Sequence, residues 1–179
     1  MILIENLLDR ATKQNITDGK LWYKRLNRYL RDISMQYNIP QWKVGAIMSI
    51  LSPRVSFKIN LEDTITLIKH GNKAKLKSPI FIKKALLALN AKSYDEVRVL
   101  FNEKTGPKTL AFFDNLVNPK SDKVTIDVHM IRALDIQGSL TSKKYKHAEN
   151  IIREYASKVN LQPMQLQAIL WTVQRGKAW

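Results

Sequence analysis

Signals that begin and end helices recur along the whole sequence, and they constrain the fold more than any other feature. Apolar residues return at spacings of three and four, and no segment alternates apolar and polar residues in the manner of a strand. The helices expected to begin at a polar capping residue are those of Asp18 (to Tyr37), Ser56 (to His70), Ser93 (to Phe101) and Asp127 (to Ile136). The pattern predicts an all-α protein of about nine or ten short helices.

The net charge restricts the partners that such a helical protein can have. Thirty Lys and Arg residues against fifteen Asp and Glu leave a formal charge of +15 among 179 residues. A field of this sign favours a polyanion, which is a nucleic acid, an anionic membrane surface or an acidic protein. Solubility alone is the alternative explanation for the charge.

Several classes of protein are disfavoured by what the sequence lacks. Without cysteine there is no disulfide, zinc-thiolate site or iron–sulfur cluster, and three scattered histidines do not predict a metal site. The first ten residues, which include Glu5 and Asp9, do not have the pattern of a signal peptide. The longest uncharged apolar run, residues 44–53, is too short to cross a bilayer. We therefore expect a cytoplasmic protein with no membrane partner and no cofactor.

Residues 105–109 predict an anion site at the start of a helix. Gly106 allows backbone conformations that other residues avoid, and Pro107 suits the first helical position. Backbone N–H groups at such a start bind phosphate well. Lys108 lies in the same first turn, where the helix dipole disfavours its ammonium form and so favours a nucleophilic amine.

Asp127 is expected to cap the start of a later helix. A carboxylate is stabilised at a helix start, and a fixed carboxylate can stabilise the sugar cation that forms when a glycosidic bond breaks. A plain structural cap is the alternative role, and it is the commonest role of Asp at such a position.

The segments Gly106-x-Lys108-Thr109 and Ile126-Asp127-Val128-His129-Met130, taken together, resemble the hairpin and catalytic segment of the helix-hairpin-helix DNA glycosylase superfamily, of the endonuclease III and 8-oxoguanine glycosylase type. The resemblance implies that Lys108 forms a Schiff base with deoxyribose and that Asp127 is the catalytic carboxylate. Asp127 follows Lys108 by 19 residues, which is the separation that the family arrangement requires.

The same resemblance implies further DNA contacts and a domain organisation. A single two-lobed helical domain would cover residues 1–179, with one lobe at about 40–105 and the other formed by 1–39 with 106–179. Arg54 would enter the space left by a flipped base. The residues expected to contact DNA are Arg54, Lys104, Thr105, Gly106, Thr109 and His129. For His129 a structural hydrogen bond is the alternative.

Two departures from the family pattern leave other functions open. Lys104 stands where the family has the first hairpin glycine, and Pro107 removes one backbone donor beside the phosphate. The expected protein is a monomeric DNA glycosylase that acts on double-stranded DNA, with or without AP-lyase activity. The alternatives are a phage-type transferase that modifies DNA bases on the same fold and a DNA-binding module without catalysis.

Overall fold

The computed structural model describes residues 2–102 and 106–176, and all regular structure in them is helical. The helices are α1 Ile2–Asp9, α2 Lys13–Tyr37, α3 Gln41–Leu51, α4 Phe57–His70, α5 Ile82–Asn90, α6 Tyr94–Arg98, α7 Pro107–Val117, α8 Val128–Ala133, α9 Ser142–Lys158 and α10 Pro163–Arg175, with single 3₁₀ turns at Gly71–Lys73 and Pro79–Phe81. The predicted all-α class is confirmed. None of the described helices combines the length and apolar character needed to cross a membrane.

Three of the four predicted helix caps are confirmed, and one is wrong. The Ser93 side chain accepts the Glu96 N–H at the start of α6. The Ser56 side chain accepts the Ile59 N–H at the start of α4, and Asp127 caps α8. Asp18 lies inside α2, where its carboxylate binds Arg25 at 2.6 Å. The helix begins five residues earlier because Thr12 and Asn15 satisfy each other's backbone N–H groups with their side chains.

The chain divides into two compact units. The terminal unit contains Met1–Leu26 and Asn118–Trp179, and the central unit contains Asn27–Val117. Relative to the lobes expected from the sequence, the central unit also includes the second half of α2 and the whole of α7.

The core of the terminal unit lies among α1, α8, α9 and α10 and is completed by the segment that leads into α8. Gly19 of α2 is part of this packing, because a Cβ there would lie 2.5 Å from the backbone nitrogen of Ile169 in α10. The buried residues of this core are Ile4, Leu7, Val124, Ile126, Met130, Ala133, Tyr145, Ala148, Ile152, Ala156, Leu166 and Leu170. The core therefore encloses the backbone on the N-terminal side of Asp127.

The core of the central unit is built around α3, which packs against α4, α5 and α7. All eight residues from Val44 to Leu51 are buried, which is why this helix reads as a continuous apolar run rather than as one apolar face. Ser49 lies within this run, and its hydroxyl donates to the carbonyl of Thr109 at 2.5 Å. This bond fixes the first turn of α7 against α3.

Candidate functional site around Asp127

Three N–H donors hold the Asp127 carboxylate in one orientation. Oδ1 accepts the backbone N–H groups of His129 and Met130, each at 3.0 Å, as a helix cap does. Oδ2 accepts the indole Nε1–H of Trp171 at 2.9 Å. Each carboxylate oxygen can accept two hydrogen bonds, so a carboxylate held in this way retains acceptor capacity at Oδ2. Asp127 is half-buried, which leaves part of it accessible to a ligand.

Buried side chains of α9 bind the backbone just before Asp127. The Tyr145 hydroxyl donates to the carbonyl of Val124 at 2.7 Å and accepts the N–H of Ile126 at 3.2 Å. The N–H of Val124 donates to Glu149 Oε1 at 3.0 Å. Residues 124–126 lie in no helix or strand, so these bonds supply the pairing that their buried backbone needs. They fix the point at which the chain enters α8.

A second set of hydrogen bonds holds Thr125, the residue between Val124 and Ile126. Thr125 is buried, and its hydroxyl lies 3.0 Å from the hydroxyl of Tyr23, which lies 3.0 Å from Gln167 Oε1. An amide oxygen can only accept, so Tyr23 donates to Gln167 and accepts from Thr125. Side chains from α2, α9 and α10 thus converge on three consecutive residues.

Burial keeps the Tyr145 hydroxyl neutral. Removal from water raises the pKa of Tyr145 well above its usual range, because the phenolate would lose its hydration. The hydrogen bond from Ile126 opposes this rise in pKa, and the negative charge of Glu149 adds to it. Tyr145 therefore acts as a neutral hydrogen-bonding bridge at physiological pH.

Trp171 connects Asp127 to a cluster of aromatic and cationic side chains. The Arg175 guanidinium lies over the indole, 4.7 Å from the ring centroid. Trp22 packs on the same ring at 5.5 Å, and His129 meets it edge-on at 6.1 Å. His129, which the sequence assigned to DNA binding, therefore lies beside the carboxylate and contacts Trp171.

The expected phosphate-binding turn lies in the central unit. The N–H of Gly106 donates to the carbonyl of Asn102 at 2.8 Å, and its own carbonyl accepts the N–H of Leu110 at 3.2 Å. Gly106 does not have a positive φ, so the backbone freedom expected of it is not used. Lys108 is half-buried in the first turn of α7. Two further expected DNA contacts, Lys104 and Thr105, lie outside the described residues.

Arg54 lies in the turn between α3 and α4, and its side chain is exposed. Its φ of 64° is in the left-handed region, where a residue with a Cβ is strained by about 1–2 kcal/mol. The turn therefore holds an accessible arginine in a conformation that glycine would adopt more easily.

The candidate residues are distributed over both units. Asp127 and His129 belong to the terminal unit, and Arg54, Gly106, Lys108 and Thr109 belong to the central unit. No group of three or more His, Cys, Asp or Glu side chains suited to a metal ion occurs in the part of the chain that the structure describes.

Residues 2–178 match the model of a family described as "Family of unknown function (DUF7178)". The chain belongs to the DUF7178 family. No curated protein and no solved structure matches it.

Proposed function

We propose that this member of DUF7178 is a DNA glycosylase of the helix-hairpin-helix type, with Asp127 as its catalytic carboxylate. The observation that carries the proposal is the fixed Asp127 carboxylate, which is bound through Oδ1 by the start of α8 and through Oδ2 by Trp171. The resemblance of residues 106–109 and 126–130 to the family segments supports it, and so does the charge of +15, which suits a polyanionic substrate.

The chemistry requires a carboxylate of this kind. When the bond between a base and C1′ of deoxyribose breaks, the base takes the bonding electrons and positive charge develops on the sugar. A carboxylate that is already oriented stabilises this charge without reorganising during the reaction. A plain helix cap requires only the two backbone hydrogen bonds, whereas Asp127 has a third to Trp171.

Lys108 determines which type of glycosylase this is. In a bifunctional enzyme its neutral amine attacks C1′ as the base departs with the bonding electrons. The bound amine then loses a proton and the C1′–O4′ bond breaks, which leaves an imine that borohydride can reduce to a stable covalent adduct. In a monofunctional enzyme water takes the place of the amine. We propose Lys108 as the amine because of its position in the segment that resembles the family hairpin.

Base release from duplex DNA tests the proposal. The wild type is incubated with duplexes that each carry one damaged or modified base, and released base is measured by mass spectrometry with and without borohydride. We expect release that is lost in Asp127→Asn and retained in Asp122→Asn. Asp122 is the matched control, because it is an exposed aspartate in the loop before the same helix. Adduct formation should be lost in Lys108→Gln.

The other outcomes identify the rival functions. Base release that persists in Asp127→Asn would refute the role of Asp127. A changed mass of the base without release would indicate a transferase, and DNA binding without any product would indicate a binding module. If about six phosphates are contacted, the logarithm of the DNA affinity should fall with the logarithm of the salt concentration at a slope near −5.

A further inference from the structure

Arg175, the last residue of α10, forms no ion pair with an acidic side chain in the described residues. Its one described interaction is with the face of Trp171, with the guanidinium carbon 4.7 Å from the ring centroid. A cation is also favoured at this end of the helix by the helix dipole.

The stacked position prepares the guanidinium to bind an anion. Stacking on an aromatic face orients the planar group and leaves the N–H donors at its rim available, in the fork that suits a phosphate. Arg175 is half-buried, so little additional side-chain freedom is lost when a ligand binds.

The same indole ring links this cation to Asp127. Trp171 presents a face to Arg175 and its Nε1–H to Asp127 Oδ2, so the guanidinium and the carboxylate contact the same indole ring. In DNA every internal sugar has a phosphate on each side. For a sugar with C1′ at Asp127, these two phosphates are the anions nearest to the reacting atom and are the candidates for this guanidinium.

We propose that Arg175, stacked on Trp171, binds a phosphate that flanks the nucleotide at Asp127. This inference rests on the proposed function, because it assumes that a nucleotide occupies the Asp127 site. It adds a DNA contact in the terminal unit that the sequence motifs did not indicate.

Neutral backbone linkages provide a direct test. The full chain is titrated, by fluorescence anisotropy, into a duplex that contains a tetrahydrofuran abasic analogue, and into duplexes with a methylphosphonate on its 5′ or its 3′ side. For the wild type we expect Kd to rise about tenfold at one of the two positions, as the loss of a charge-assisted hydrogen bond predicts. In Arg175→Gln the same linkage should change Kd by less than about twofold, because the contact is already absent.

Two further variants control for charge and for folding. Lys146→Gln removes an equal charge from an exposed position on α9 and should retain the wild-type sensitivity to the linkage. Arg175→Lys keeps the charge without the planar fork and should show an intermediate sensitivity. Circular dichroism establishes that each variant is folded before binding is measured.

The outcomes separate this inference from the proposed function. Equal sensitivity of Arg175→Gln and the wild type, or a wild type that is insensitive to both linkages, would overturn the phosphate contact. If sensitivity depends on Arg175 but no duplex loses a base, the contact is supported and the glycosylase proposal fails.

Discussion

Replacing Tyr145 by Phe removes one hydroxyl and leaves two buried backbone groups without their partner. The carbonyl of Val124 loses a donor at 2.7 Å, and the N–H of Ile126 loses an acceptor at 3.2 Å. Val124 and Ile126 are 0% and 1% exposed, so water cannot replace the hydroxyl unless the segment moves. A buried unsatisfied group costs about 1–3 kcal/mol, so with two such groups we expect the substitution to lower the free energy of unfolding by about 2–6 kcal/mol.

Urea unfolding followed by circular dichroism measures this change, with the denaturant slope held common to all variants. Tyr155→Phe is the matched control, since it removes the same atom from the same helix at a hydroxyl that forms no hydrogen bond in the described residues. We expect it to change the free energy of unfolding by less than about 0.5 kcal/mol. Equal losses in the two variants would show that the Tyr145 hydroxyl does not hold the segment before Asp127.

Three further predictions follow from backbone geometry and burial. Burial raises the pKa of Tyr145, so above about pH 10 the unfolded chain loses this proton while the folded chain keeps it, and the free energy of unfolding should fall as pH rises. Urea unfolding at alkaline pH should show a smaller fall in Tyr145→Phe than in the wild type, by up to about 1.4 kcal/mol per pH unit. In the same assay Gly19→Ala should lower the free energy of unfolding by about 1–3 kcal/mol, because the new methyl would lie 2.5 Å from the backbone of Ile169. Gly45→Ala should lower it less, because its methyl would lie 2.7 Å from a side-chain methyl. A Gly19→Ala variant more stable than the wild type would contradict the packing. Arg54→Gly should leave the melting temperature unchanged or raise it, because the φ of Arg54 is 64°. The same variant should bind DNA more weakly in an anisotropy titration. Unchanged binding would rule out the proposed entry of Arg54 into the space left by a flipped base.

Helix limits could be predicted from the sequence where the signal is local. The cap at Ser56 depends on a residue three positions away, and the cap at Asp127 on residues two and three positions away, so the pattern around each contains the required information. Asp18 has the chemistry of a cap, but the pair of Thr12 and Asn15 begins α2 before it. The error arose because several residues in one stretch could cap the helix and only their packing decides between them.

The surroundings of Asp127 depend on contacts between residues that are distant in the sequence. Trp171 follows Asp127 by 44 residues, so no local pattern around Asp127 contains it. Tyr145 and Glu149 gave a usable signal, since they lie four residues apart on the otherwise apolar face of α9. A carboxylate on a buried helix face needs partners, and here they are the N–H of Val124 and the guanidinium of Arg153.

The stretch before α8, which lies in no helix, explains why so many distant residues determine the position of one carboxylate. The described residues of the terminal unit include no strand, so the buried backbone of residues 124–126 obtains its hydrogen bonds from side chains. Tyr145 and Glu149 provide them, and Tyr23 binds the Thr125 side chain between them. Each of these side chains comes from a helix that is itself fixed by the core, which orients Asp127 more firmly than a local cap would. A helix start does not need this rigidity, whereas the proposed catalytic role, in which the carboxylate meets a developing charge at one point in space, would use it.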